Sequence, residues 1–471
     1  MATEYSPSEK CEEYQKTVFQ TKQMRDSVAG SNSIKNEGEL YLPMPSGWNE
    51  IKERGTIPNE VIKNAPHYLP WNHSNPAYRA YIQRARFPDI TANALRMCVG
   101  IATLKEPELN LPSTIDYMEK IATNAFDSIH ELFVFVLSEI LTVGKTALVV
   151  DFDVDRQQFY IATYTRENFV NYKEGFDGTR KIVYSASFEE SEEEVLEYTY
   201  NEDGKIVSRK YVEGDLTEEI ELQFRGVNYK SIPVFYAGAF DNSPKQNTPP
   251  LLGISDIAIS IYQIDADLRQ AQFMTCNPTL FVFGVDGDQT PTVIGSQVIV
   301  GIRNPNGRAE YPKTDTSALE HIRNSKKDMM DEASGYGAAL ISSPSKEAAE
   351  ALSIRQANRG ASLVNAASMA GKAINDALAF IADMMGIQQE EAYFDPNVEF
   401  AEMVMTSQDL TALVNAWMNG AISHDILLDN LRDAGWIDAD GETNEQIKDK
   451  VEKEKPNIDE NLGDQNLDKV E

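Results

Sequence analysis

Apolar residues recur at helical spacing from Ser8 to Ala29, again on both sides of Pro88 in NPAYRAYIQRARFPDITANALRMCVG (75–100), and most clearly after Ser128. There Ser128 and Glu131 have capping-box spacing, and Leu132, Phe133, Val136, Ile140 and Leu141 form a stripe that stops at Gly144, so the pattern specifies both ends of a helix. Upstream, Pro43, Pro45, Pro66 and Pro70 interrupt a polar stretch and predict an extended, irregular arm. Past Gly144 the period falls to two. TALVVDFD (146–153), FYIATYT (159–165), KIVYSASF (181–188), VLEYTYNEDGKIVSRKYV (195–212) and EIELQFRG (219–226) alternate, with a hairpin turn at Asn201 to Gly204. IPVFYAG (232–238) closes what reads as one antiparallel β-rich subdomain over 146–238, with one solvated face.

A Pro-rich linker, Asn242 to Pro250, precedes a helix in which Ile254, Ile257, Ile261, Ile264 and Leu268 alternate spacings of three and four. Such a stripe fits a helix buried in its own chain's core or one packed lengthwise on other helices. TLFVFGV and TVIGSQVIVG, with Gly284, Gly287, Gly295 and Gly301 at turn or bulge positions, predict a small β insert over 278–312. A second capping pair, Ser317 with Glu320, starts a helix expected to run to about Gly335, and the small residues from Gly335 to Ser345 predict a loop. Ser343 and Pro344 then suit the start of a helix that holds twelve alanines and reaches Gly386. Some forty residues of helix span about 60 Å, with Gly360 and Gly371 as the expected kinks. Residues 406–436 keep helical spacing, with Ser423 as a cap and Gly420 and Gly435 as stops, and the tail beyond about Lys455 is expected to be disordered. The fold class is α+β.

Charge changes the picture. With 43 basic and 74 acidic residues the net charge is −31, which weighs against tight, sequence-independent DNA binding, because that mode needs Lys and Arg to displace counterions. Residues 387–471 alone hold twenty-one acidic and six basic side chains. Against this trend Arg323, Lys326 and Lys327 form a basic face, suited to DNA phosphates or an acidic neighbour, or else paired with Asp328 and Asp331 or simply solvated. Cys11, Cys98 and Cys276 are too few and too scattered for a disulfide framework, and neither a secretory h-region nor a membrane-length apolar run is present.

Candidate chemistry is sparse. Gly144-Lys145-Thr146 looks like the end of a phosphate-binding loop, but Glu139 stands where that loop needs glycine, and here a helix enters and a strand leaves, the reverse of the required order. The five histidines lack metal-ligand spacing. Asp151 and Asp153 would share a strand face and could hold a divalent ion for nuclease chemistry, or form a solvated strand end. No catalytic residue, metal or cofactor is expected.

One resemblance covers most of the chain. NPAYRAYIQRARF (75–87), the helix closing on Val99-Gly100, the pair Leu111-Pro112, LSEILTVGKTALVVDF (137–152), YIATYTRENFVNYK (160–173), IPVFYAG (232–238), PLLGISDIAISIYQIDADLRQ (250–270), NPTLFVFG (277–284), IGSQVIVG (294–301), SKEAAEALSIRQA (345–357) and residues 398–436 follow one another in a characteristic order. In that order and spacing, over about residues 40–450, the chain resembles the portal proteins of tailed bacteriophages, the head-to-tail connector family. The resemblance implies a non-enzymatic subunit of a twelve-membered ring at one capsid vertex, in the virion and, during assembly, in the host cytoplasm. It implies a wing over 1–245 including the β-rich subdomain, a stem helix at 246–275, a clip with an α/β insert at 276–316, a second stem helix at 317–335, a channel loop at 336–345, a long wing helix at 346–386, a helical crown at 387–455 and an acidic tail at 456–471.

The same likeness assigns roles. Gly337, Ala338, Ile341, Ser342, Ser343 and Lys346 would face the DNA channel, Arg323, Lys326 and Lys327 would touch DNA or a neighbouring subunit, and Ile254, Ile257, Ile261, Ile264 and Leu268 would pack the stem. Implied partners are further copies of the chain, a terminase whose ATPase drives packaging, a head–tail adaptor, the major capsid protein and, where one exists, a scaffolding protein, with double-stranded DNA passing through and no membrane. The role would be genome packaging and ejection past a mostly repulsive wall. The rival readings are another head–tail adaptor ring and a metal-dependent nuclease using Asp151 and Asp153.

Overall fold

The computed structural model describes residues 5–46, 76–177, 180–276, 280–283, 299–302, 308–310, 317–341, 350–387, 392–398, 417, 423–433, 443–447 and 450, and all structural statements refer to these. The chain forms two compact units, Met1–Val398 and Glu399–Glu471.

The first unit opens with α1 (Glu12–Lys16), α2 (Val18–Ala29) and α3 (Ser31–Asn36). The single helix expected from Ser8 to Ala29 is interrupted at Thr17. Its hydroxyl turns back to the Glu13 and Tyr14 carbonyls (3.4 and 3.1 Å), and Arg166 donates both to that hydroxyl and to the Tyr14 carbonyl, so helical acceptors are taken by side chains. This amino-terminal segment clasps distant parts of the unit. The Cys11 N–H donates to the Val170 carbonyl (2.9 Å), the Tyr14 hydroxyl to the Pro244 carbonyl (2.8 Å), and the Gln246 N–H to the Glu13 carboxylate (2.7 Å).

Helices α4 (Pro76–Arg84) and α5 (Ile90–Ala102) flank Pro88 as the pattern predicts. After β1 (Glu108–Asn110) comes α6 (Ile129–Val143) with both predicted ends: the Glu131 N–H donates to Ser128 Oγ, the Ser128 N–H donates to the Glu131 carboxylate, and Gly144 terminates the helix at φ 83°. Strands β2 (Lys145–Asp153) and β3 (Gln158–Tyr164) follow, then β4 (Phe169–Asp177), β5 (Arg180–Glu189), β6 (Glu194–Tyr200), β7 (Ile206–Val212), β8 (Asp215–Glu221), β9 (Gln223–Phe224), β10 (Val227–Asn228) and β11 (Val234–Gly238).

The antiparallel strands expected over 146–238 are present and are divided among more than one sheet. β11-β2-β3 make one antiparallel sheet and β4 to β8 a separate five-stranded meander, with β9 and β10 as a minimal hairpin. Burial separates the two sheets. Every residue from Lys145 to Val150 is buried, so β2 is covered on both faces, whereas β8 is exposed along its whole length as the meander's edge. The expected strand 219–226 is cut short because Arg225 and Gly226 adopt φ 50° and 80°, the two-residue turn that lets Phe224 pair with Val227 and pack edge-on against Phe152.

The remainder of the unit is mostly helical: α7 (Leu252–Cys276), the insert strands β12 (Leu280–Phe283), β13 (Ile299–Ile302) and β14 (Arg308–Glu310), then α8 (Ser317–Ile341), α9 (Glu350–Met385) and β15 (Tyr393–Asp395), which pairs with β1. β12 lies between β13 (parallel) and β14 (antiparallel). Gly301 sits inside β13 opposite Val282, not at a turn, while Gly284, Gly287 and Gly295 lie outside the described residues. The core of α9 is made of Leu363, Ala366, Ala367, Ala370, Ala373, Ile374, Ala377, Leu378 and Ile381, all fully buried, and the alanines let other elements approach its backbone closely. Gly371 serves such an approach: a Cβ there would stand 2.6 Å from Pro396 Cδ. Asn375 fixes the same strand by donating to the Phe394 carbonyl and accepting its N–H (2.8 and 2.7 Å). Gly386, at φ 73°, ends the helix where the sequence places its stop.

In the second unit α10 (His424–Asp433) is capped as expected, with the Ile426 N–H donating to Ser423 Oγ (3.3 Å), and the Trp417 ring stacks on His424. The tail beyond Lys455, Gly420 and Gly435 lie outside the described residues.

Candidate functional site

The insert strands are carried by two 25-residue helices, α7 and α8, and these differ in how they are covered. On α7 the buried face is Ile254, Ser255, Ala258, Ile261, Tyr262, Asp265, Ala266 and Leu268, packed in part on Tyr78, Tyr81, Ile82 and Phe87. Of the stripe read from sequence, Ile254, Ile261 and Leu268 belong to this face, and Ile257 and Ile264 are half-buried at its edge. The chain's own core therefore accounts for the three residues at seven-residue spacing. Along α8, from Leu319 to Gly335, only Ala333 is buried.

Asp265 holds the two helices together. Its carboxylate is 1% exposed and accepts from the Arg86 N–H (2.8 Å), from Arg269 Nε one turn on (2.7 Å) and from Lys326 Nζ on α8. Burial pushes this carboxyl up, but the hydrogen bonds from Lys326, Arg269 and the Arg86 N–H outweigh it and hold the group below the usual carboxylate range. The Lys326 ammonium thus spends its charge inside the chain, on Asp265 instead of on the neighbouring Asp328 or Asp331. Arg323 and Lys327 remain exposed on the outer side of α8.

The expected loop over 336–345 is helical as far as Ile341. Gly337, Ala338 and Ile341 lie on the last turns of α8, and Ser342, Ser343 and Lys346 lie outside the described residues. The glycines that suggested a loop each cost about 1 kcal/mol in a helix, but Ser317 to Ser334 is already helical before the first of them, and propagation onto Ala338, Ala339 and Leu340 needs no new nucleus. The first capping residue of α9 likewise falls in the undescribed stretch before Glu350.

A strap, residues 239–250, leads into α7. Lys145, the lysine of the Gly-Lys-Thr triplet, is fully enclosed beneath it and donates to the Asp241 and Ser243 carbonyls (both 2.8 Å), with the Asp241 carboxylate at 3.5 Å. Burial pushes its ammonium down to about 8, partly offset by Asp241. An ideal Cβ on Gly144 would meet the Asn247 carbonyl oxygen at 2.3 Å, and one on Gly238 would meet Lys145 Nζ at 2.2 Å, so both glycines are there for close backbone approach. Asn242 donates to the Met369 carbonyl and Asn365 to the Ala239 carbonyl, which fastens the strap to α9. The helix-in, strand-out order read from sequence is present, and the triplet anchors a strap.

Asp151 accepts from the Tyr160 hydroxyl (2.8 Å), while Asp153 caps the β2–β3 turn by accepting from the Asp155 and Arg156 N–H groups and pairs with Arg156 Nε (3.2 Å). Among the described residues no group of three or more His, Cys, Asp or Glu side chains is placed to hold a metal, and no helix is long and apolar enough to cross a membrane. Sequence reading missed Asp265. Its signal was an acid on the apolar side of a helix, four residues before Arg269.

Residues 250–385 match the family model described as Domain of unknown function (DUF4055), a span that starts at the end of the strap and closes at the end of α9. No curated protein matches the chain. Among solved structures, the chain is similar to one from the neck of an empty gene transfer agent particle computed with C6 symmetry, at 11% identity and a TM-score of 0.37, over 76% of this chain and 92% of the other. It is also similar to a chain from the virion of a native gene transfer agent particle, at 12% identity and a TM-score of 0.34, over 75% and 91%.

Proposed function

We propose that this chain is a portal subunit: it closes with copies of itself, twelve in the resembled family, into a ring at one capsid vertex through which double-stranded DNA is packaged and ejected. The observation that carries the reading is α8. Twenty-five residues long, it leaves twelve of its seventeen described side chains exposed, yet is pinned to α7 by a buried carboxylate, as suits a helix whose outer faces are completed by neighbours. The ordered segments from about residue 40 to 450 that resemble portal proteins point the same way. In this reading the net charge of −31 per chain makes the assembled wall repel the duplex, and Arg323 and Lys327 supply weak, movable contacts to DNA or a neighbour. The insert strands β12 to β14 would receive the terminase, which supplies the energy, and later the head–tail adaptor. The chain itself would act as a conduit without catalysing a reaction.

Mass measurement and negative-stain microscopy of the purified full chain test this. Rings with an axial hole wide enough for a double helix are expected. Stable single chains at high concentration, or rings with a closed centre, would overturn the reading.

A further inference from the structure

A cavity of about 530 Å³ opens between α4 and the carboxyl end of α7, lined by Lys35, Gln83, Arg84, Arg86, Arg269 and Gln272 among others. Four of these six are cationic, in a chain whose net charge is −31, and no carboxylate lines the cavity among the described residues. Asp265, whose field reaches Lys35, is already committed to Arg269, Lys326 and the Arg86 N–H.

The arginines are poised around the opening. Arg84 lies with its guanidinium carbon 4.2 Å from the centre of the Phe273 ring and donates through Nη2 to Gln270, while its Nε is buried without a hydrogen-bond partner. Burial alone pulls the Arg84 guanidinium below its usual range, with no acidic group compensating. Arg86 is exposed at the rim and makes no ion pair among the described residues. Lys35 is 7% exposed, and its ammonium is pushed down by burial and by the neighbouring Arg269 and Arg86 charges. Collecting like charges around an aqueous hollow costs free energy that an anion seated there would return.

We propose that this cavity is an oxyanion site that takes a phosphate group. Arg84 and Arg86 line the hollow without an ion pair among the described residues, Arg269 adds a guanidinium whose Nε alone is given to Asp265, and the volume admits a phosphate ester as well as the bare ion. The site stands whether or not the chain closes into rings.

Calorimetric titration of the full chain with inorganic phosphate, at ionic strength held constant with chloride, tests it. One phosphate should bind per chain, and Arg86→Gln should weaken it about tenfold. Gln272→Glu, which places an acid in the cavity without removing a cation, should weaken it at least as much, so the result does not hang on one variant. A 12-base-pair duplex that displaces phosphate in wild type would identify the source as a nucleic-acid backbone, and phosphate binding indifferent to the duplex would identify a free phosphate or small ester. Heat no different from that of chloride, affinity unchanged in both variants, or capture of a polyglutamate peptide without capture of phosphate would each overturn the proposal.

Discussion

Two long helices of the same unit, α8 and the carboxyl half of α9, meet opposite fates. Both read as helical from sequence, and both carry alanines and glycines. From Leu363 onward α9 is enclosed, held by Asn365, Asn375 and the close pass of Pro396 over Gly371, so its small residues measure how near other elements come. Along α8 only Ala333 is buried, Leu319, Ile322 and Met329 are half-buried on the same side, and Lys326 pairs with Asp265. The contrast teaches that a helix's periodicity announces its existence, while the residues that cover it are set by elements far away in sequence, here α6, β2, β11 and β15, with the strap at 239–250 fastened alongside.

If that contrast is right, damage to the strap should cost most. Gly144→Ala must place a methyl against the Asn247 carbonyl in a left-handed backbone, and a loss of about 4 kcal/mol in urea unfolding is expected, from about 1–2 for the conformation plus overpacking. A loss below about 1 kcal/mol would mean that the strap yields easily. Next comes Lys145, whose ammonium falls from 10.5 to about 8 on burial. Between those values the unfolded chain holds a proton that the folded chain has released, so stability rises with pH across the window. Relative to Lys145→Met, wild type should gain about 3 kcal/mol from pH 8 to 10.5, read by denaturation at several pH values, and a flat difference would show the lysine is not enclosed as described.

Asp265→Asn should cost about 2 kcal/mol, less than a wholly buried pair because Lys326 and Arg269 keep about a third of their side-chain exposure. Hydrogen exchange should then quicken in α8 more than in the covered half of α9, and equal quickening in both would erase the distinction. Smallest of all, Arg323→Gln with Lys327→Gln should change stability by less than about 0.5 kcal/mol, as exposed charges do, although DNA retention by assembled rings should fall. Unchanged retention would remove these residues from the proposed channel.

Local rules were well written in the sequence. Ser128 with Glu131, Gly144, the Asn201 turn, Ser423 and Gly386 all end elements where their chemistry says, because caps and turns depend on a few adjacent residues. What the sequence hid was pairing. Nothing adjacent to β3 tells it to join β11 through β2 while β4 begins a separate meander, since Val149 of β2 pairs with Val234 of β11, 85 positions later. The end of α8 was hidden for a different reason: single-residue preferences of glycine were outweighed by a helix already formed. Of the candidate site, the basic triplet on α8 was visible, but that Lys326 is spent on Asp265 depends on α7 being alongside.

The clasp made by the amino-terminal segment carries a consequence for how the chain is made. Glu13 and Tyr14 leave the ribosome early, yet their partners Gln246 and Pro244 are synthesised more than two hundred residues later. At ordinary rates of about 5–20 residues per second the first helices wait about 10 to 50 s for what they will grip. Throughout that interval the Tyr14 hydroxyl lacks the Pro244 carbonyl and the Glu13 carboxylate lacks the Gln246 N–H, so the clasp on the strap closes only after more than half of the chain has been made.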